Sequence, residues 1–306
     1  MIDLDRAVSL LRAGRLVAFP TETVFGLGGD AESPAALERI FSVKHRDRGK
    51  PLSVLVGPGA ELEAWAAWSD RAQRLADALW PGPLTLVLPK RPRARDLLTG
   101  GADTLGLRMP DHPVPLSLLE AFGGPLAAPS ANRSGSPSPT LAEHVAADLG
   151  AAVDLILPGR CAVGIESTVL LLGPPARIVR PGAVGREALE AALGEPVEEA
   201  RAAAAYRTRA PLRLVEAAAL DQALARAEGP VAVLSPARPG GCALWRPAAP
   251  DPPERAATLY QDLRALDQDG VALILVVLPP DRPEWALVRD RLAHAAHEGA
   301  PRGEIG

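Results

Sequence analysis

Lys44, Arg46 and Lys50 fall within one seven-residue stretch, KHRDRGK, of a chain that writes its positive charge as 30 arginines and only three lysines. A compact ammonium approaches phosphate as a point charge and a guanidinium supplies a planar fork. Both types side by side therefore point to anion binding. Residues 129–140, PSANRSGSPSPT, add four serines, a threonine and an asparagine without an acid, histidine or cysteine. Thr140 and Glu143 read as a capping box, which sets this loop at a helix N-terminus where amides favour an anion and Ser130, Ser134 and Ser138 add neutral donors. Arg108 in LRMPDHP and Arg180 in VRPG follow strand-like runs and suit a carboxylate or phosphate.

Other chemistries fit less well. GLGGDA at 26–31 satisfies a dinucleotide fingerprint formally, but Pro20 and TETVF separate its first glycine from the preceding strand-like run. Gly49-Lys50 continues into Pro51, so it is no Walker A loop. Cys161 and Cys242 belong to no C-x-x-C, and His294 and His297 lack a third ligand nearby, so no protein-held metal is expected. Neither a nucleophile elbow nor a cysteine–histidine pair is present. What remains is catalysis by positioning and charge neutralisation.

These residues need a scaffold, and the periodicity supplies one. Helices are expected over 5–13, 34–43, 60–68, 70–79, 114–122, 140–149 and 186–193, the second opened by Ser33-Pro34. Strands are expected at 16–19, 52–56, 84–88, 104–108, 153–157, 167–172 and 176–180, with a spacing that suggests a mixed sheet. After an aperiodic stretch, residues 212–306 alternate strand and helix: strands at 212–215, 231–235 and 271–277, helices from 220, over 254–268 and over 284–298. The predicted fold is α/β. Residues 1–200 form a twisted mixed sheet flanked by helices, 201–211 a linker or lid, and 212–306 a small three-layer Rossmann-like domain.

With 306 residues, 47% hydrophobic and 23% charged, the chain suits a globular two-domain protein. Its net charge of −4 argues against a broad nucleic-acid surface, although the 44–50 stretch leaves room for a weak RNA contact. The longest apolar run, Val271 to Leu278, is too short to span a bilayer, and the start carries acids where a signal peptide is basic. A cytoplasmic location without membrane contact is expected.

Taken in order and spacing, PTETVFGLGGDA, K-x-R followed by PL, RMPxHP, PSANxSGxPSPT, ESTV at 166–169 and RPG resemble the YrdC-like L-threonylcarbamoyl-AMP synthases over almost all of residues 5–200. Residues 257–276 are similar to the extra C-terminal domain of the two-domain branch. The resemblance implies a nucleotidyltransferase that converts L-threonine, bicarbonate and ATP into threonylcarbamoyl-AMP and pyrophosphate. Magnesium would ride on the ATP phosphates rather than on protein side chains. The product would pass to a tRNA threonylcarbamoyl-transferase complex for t6A modification at position 37 of ANN-decoding tRNAs. By position, the resemblance puts Arg46, Lys50, Thr104, Ser130, Asn132, Ser138, Arg180 and Tyr206 on the nucleotide, with Lys44, Arg46 and Lys50 at the triphosphate and Lys44 and Arg46 as exposed catalytic groups. Thr23, Arg108, Ala128 and Ser167 would hold threonine. Phe25 and Leu55 replace a tyrosine and a histidine usual in the pattern, and the linker AAAAYRTRAP keeps only Tyr206 and Ala210-Pro211 of its usual form.

Overall fold

In the computed structural model, residues 3–199 and 206–296 are described. They fall into two compact units, one within Met1–Ser134 and Ser138–Ala202, the other within Gly135–Pro137 and Ala203–Gly306. Ala203–Ala205 and His297 lie outside the described residues.

The first unit is built on ten strands: β1 (Val17–Phe19), β2 (Gly26–Asp30), β3 (Ser53–Leu55), β4 (Leu84–Pro89), β5 (Thr104–Arg108), β6 (Leu126–Ala127), β7 (Leu155–Ile156), β8 (Thr168–Leu172), β9 (Ala176–Arg180) and β10 (Glu198–Glu199). They form one sheet in the order β10-β9-β8-β4-β5-β3-β6-β2-β1-β7. Pairs β1/β7, β3/β5, β4/β8 and β9/β10 run parallel and the rest antiparallel, so the sheet is mixed as expected. Successive residues of β1 point to opposite faces. Leu16 and Ala18 join a core with Leu37 and Ile40 of the helix Pro34–Lys44; Val17 and Phe19 join another with Val8, Leu11 and Leu118. Both faces of the strand are therefore covered by helices.

Sequence periodicity misses β2. Its glycines look like a turn, but a Cβ at Gly28 would lie 2.5 Å from the Phe19 ring of the neighbouring strand, so the small residues make room for an aromatic core. This position inside a strand, not at a strand-to-helix turn, removes the dinucleotide reading of GLGGDA. The helix expected over 60–68 is only Leu62–Trp65, because Ala66 turns extended and bridges to Lys90. The capping box is not formed either: the helix Ala142–Leu149 starts after Leu141 without a side-chain cap. Instead, the Thr140 amide donates to Nδ1 of His144, and the Thr140 hydroxyl has no hydrogen-bond partner among the described residues.

In the second unit, β11 (Leu212–Val215), β12 (Val231–Ser235), β13 (Leu244–Pro247) and β14 (Leu273–Val277) form an all-parallel sheet in the order β11-β14-β12-β13. β12 is buried throughout and β14 nearly so, as continuous apolar runs in a covered parallel sheet should be. Helices Leu220–Arg226, Pro252–Leu266 and Ala286–Ala295 alternate with these strands. Within this unit the carbonyl of Gly135 accepts from the Arg207 amide at 2.8 Å, and that of Pro137 accepts from the Arg264 guanidinium.

Candidate active site

A cavity of about 400 Å³ opens in the first unit, where the ends of β3, β5, β8 and β9 meet the chain before β2 and after β6. Its wall brings together most of the residues singled out in the sequence: Thr23, Arg46, Lys50, Thr104, Arg108, Ala128, Ser130, Ser167 and Arg180.

Arg108 ends β5 almost fully buried. Its guanidinium donates to Thr23 Oγ1 at 3.0 Å and to the Gly82 carbonyl at 3.3 Å, and sits 2.7 Å from Oε1 of the buried Glu22. That last contact is an ion pair without hydrogen-bond alignment, since neither Glu22 oxygen has a hydrogen-bond partner among the described residues. Thr23 is held through Thr21, whose hydroxyl lies 2.8 Å from its own and donates to the Val24 carbonyl. A guanidinium beside a hydroxyl is chemistry that suits a carboxylate.

On the opposite wall, Arg180 grips Ser167, donating to its carbonyl at 2.9 Å and to its Oγ at 3.0 Å, while the same Oγ lies 2.8 Å from the Thr85 hydroxyl. Gly182 makes that grip close. A Cβ there would fall 2.3 Å from the Thr168 nitrogen and 2.6 Å from the Glu166 carbonyl oxygen, both backbone atoms.

Lys44 departs from expectation. It was expected exposed at the triphosphate, but is 1% exposed and does not line the cavity. Its ammonium donates to the carbonyls of Ser130 and Asn132, each at 2.5 Å. The cause is helical phase: Lys44 follows Phe41, Ile40 and Leu37 by three, four and seven residues, on the buried face of the helix Pro34–Lys44. The helix then closes in a Schellman end, with His45 left-handed at φ 48° and the Arg46 amide back on the Phe41 carbonyl at 2.9 Å. Burial, with Arg46 nearby, pushes the Lys44 ammonium down to about 7. Arg46 is half-buried rather than exposed, and burial lowers its pKa. Its guanidinium braces the Lys50 turn through the carbonyls of Pro51 at 2.9 Å and Lys50 at 3.4 Å. Arg48 pairs with Glu38 at 2.6 Å on the surface.

Asn132 and Ser138 are buried outside the cavity wall. Asn132 serves the loop through its carbonyl, and Ser138 donates to Glu166 Oε1 at 2.8 Å. No residue of the helix Ala142–Leu149 lines the cavity, so side-chain cations, not helix-end amides, supply its positive charge. Tyr206 is likewise not on the wall: in the second unit its hydroxyl donates to the Arg291 carbonyl and its ring meets Tyr260 edge-on at 5.0 Å.

Over residues 9–182 the chain matches the family Sua5_yciO_yrdC, described as Telomere recombination, and over residues 185–297 the family described as Threonylcarbamoyl-AMP synthase, C-terminal domain. This chain belongs to the Sua5/YciO/YrdC family. The Threonylcarbamoyl-AMP synthase of Bacillus subtilis is 35% identical over 96% of this chain and 92% of its own length. That of Pyrococcus abyssi is 45% identical, over 62% of this chain and 56% of its own length. The crystal structure of P. abyssi Sua5 complexed with L-threonine matches with a TM-score of 0.89 at 34% identity, covering 96% of this chain and 94% of that one.

Within this Sua5/YciO/YrdC member, sequence reasoning missed Thr21, Thr85 and Glu166, all on the cavity wall. Thr85 carries no signal, being one residue of a strand. Glu166 stands inside the ESTV motif, where only Ser167 was singled out.

Proposed function

We infer that the chain is an L-threonylcarbamoyladenylate synthase, converting L-threonine, bicarbonate and ATP into threonylcarbamoyl-AMP and pyrophosphate for t6A modification of tRNA. One observation carries this reading: a single cavity holds a carboxylate receptor, Arg108 with Thr23, and a cationic wall, Arg46, Lys50 and Arg180.

In this reading Arg108, Thr23, Ser167 and the Ala128 backbone hold threonine. Arg46, Lys50, Thr104, Ser130 and Arg180 take the nucleotide. Lys44 and Asn132 act indirectly by fixing the Ser130 turn, and Ser138 by fixing Glu166. Carbamoylating an amine and then attacking an α-phosphorus gathers several anions in one place, and preplaced cations lower the cost of that gathering. The donor chemistry of the cavity wall, one carboxylate among cations and hydroxyls, suits a metal that comes in on the substrate's phosphates. Magnesium on the phosphates would neutralise charge as pyrophosphate leaves.

Two cysteines without a disulfide, Cys161 and Cys242, suit a reducing cytoplasm, and no described helix is long and apolar enough to cross a membrane. The product would go to a tRNA threonylcarbamoyl-transferase complex. The test is incorporation of radiolabelled bicarbonate alongside pyrophosphate release. Both should require threonine and ATP together; pyrophosphate release indifferent to threonine overturns the reading.

A further inference from the structure

We propose that Glu166 is the catalytic base that takes the proton from the α-ammonium of the amino-acid substrate, freeing its nitrogen to attack bicarbonate. This step rests on the synthase reading above. At neutral pH an amino acid presents –NH3+, which has no lone pair, so some group on the wall must accept a proton before an N–C bond forms. Glu166 is the one carboxylate among the lining residues. Neither histidine, aspartate nor cysteine lines the cavity, and its other ionisable groups, Arg46, Lys50, Arg108 and Arg180, are cations with no proton to accept. His112, close in sequence to Arg108, lies off the wall, its ring nitrogens engaged by the Val114 amide at 3.1 Å and the Arg160 carbonyl at 3.2 Å.

Placement supports the role. Glu166 immediately precedes Ser167, the residue clamped by Arg180 and Thr85, and its backbone lies against Gly182, so its main chain is held in place. Ser138 donates to Oε1 and orients the carboxylate, the orienting contact a general base needs. Glu166 is half-buried and lines the cavity.

The step balances. The nitrogen gives one proton to Glu166 and, as it attacks the bicarbonate carbon, a second to the departing hydroxide. An N–C bond forms, a C–O bond breaks, water leaves and a carbamate remains with Glu166 protonated. The carbamate oxygen is then the nucleophile toward the α-phosphorus.

The experiment compares the full chain with Glu166→Gln, which retains an acceptor for Ser138, and Glu166→Gly, using pyrophosphate release and calorimetric threonine binding. Glu166→Gln should lower kcat by about 100-fold or more. Its affinity for threonine should stay within about threefold, the signature of an interaction made in the transition state. Formate should restore part of the activity of Glu166→Gly and leave the wild type unaffected. A Glu166→Gln enzyme with wild-type kcat, a defect confined to KM, or a Glu166→Gly enzyme that formate does not revive overturns the proposal. In those outcomes wild-type turnover persists and the synthase reading stands; a wild type without threonine-dependent turnover removes both.

Discussion

The ammonium of Lys44 lies 2.5 Å from the carbonyl oxygen of Ser130, 86 residues further along the chain, and so ties the end of one helix to the turn that lines the cavity. A lysine so placed is a clamp whose charge is costly to bury. Its folded-state pKa is about 7 against an ordinary 10.5. Between those values the unfolded chain holds a proton that the folded chain has released, so stability climbs with pH across this window. The burden is complete below about 7 and lifted above the unfolded value. Urea midpoints of wild type and Lys44→Met should therefore diverge from pH 7 to 10, the wild type gaining at most about 1.4 kcal/mol per pH unit over the variant. Parallel curves would mean that the two carbonyls keep the ammonium charged. Lys44→Met should also slow turnover, because Ser130 loses its tether.

The helix that carries Lys44 ends at His45, the described non-glycine residue with a positive φ. Left-handed backbone costs an L-residue about 1–2 kcal/mol, least for small or polar side chains and most for β-branched ones. His45→Gly should thus raise unfolding free energy by up to about 1 kcal/mol, the gain reduced by glycine's own entropy. His45→Val should lower it and raise the KM for ATP, since the strained end swings Arg46 out of place. Thermal melts with ATP-dependent kinetics check both.

The two variants also mark how far the sequence could be read. The scarcity of lysine singled out residues 44–50, and periodicity placed helices such as Arg186–Leu193. The same periodicity sets Lys44 three, four and seven residues after Phe41, Ile40 and Leu37, on the buried face of its helix, but an ammonium reads as a surface group until the Ser130 and Asn132 carbonyls that receive it are known. β2 escaped because its residue types answer to the Phe19 ring on a neighbouring strand, not to strand propensity. β13 escaped because, at the sheet edge, it can carry Arg246 and Pro247 where a central strand could not. Thr23, Arg108 and Ser167, which share the cavity wall, were singled out through their motifs, but Glu22 and Glu166 were not. Their roles come from what stands opposite them in space.

Glu22 and Arg108 give a double-mutant test. Arg108→Ala strands a carboxylate that is 7% exposed and should destabilise the protein by about 3–5 kcal/mol. Adding Glu22→Gln removes the stranded charge and should recover a large part of that loss. Threonine binding should vanish in both, as the carboxylate receptor is gone. Equal stability of the single and double variants, measured by urea unfolding, would show that the pair is not coupled.

Gly182 is the position where the smallest change should matter most for chemistry. An added Cβ meets three backbone atoms, the Thr168 nitrogen, the Ser167 carbonyl carbon at 2.4 Å and the Glu166 carbonyl oxygen, none of which can rotate away as a side chain would. Gly182→Ala must therefore shift the 166–168 segment, overpacking that typically costs about 1–3 kcal/mol. The same shift moves Ser167 off Thr85 and Arg180 and displaces Glu166, so the loss of kcat should exceed anything the lower stability explains. Turnover measured well below the melting temperature separates the two effects: a variant that melts early but turns over at the wild-type rate would mean that the segment's position is not what sets the rate.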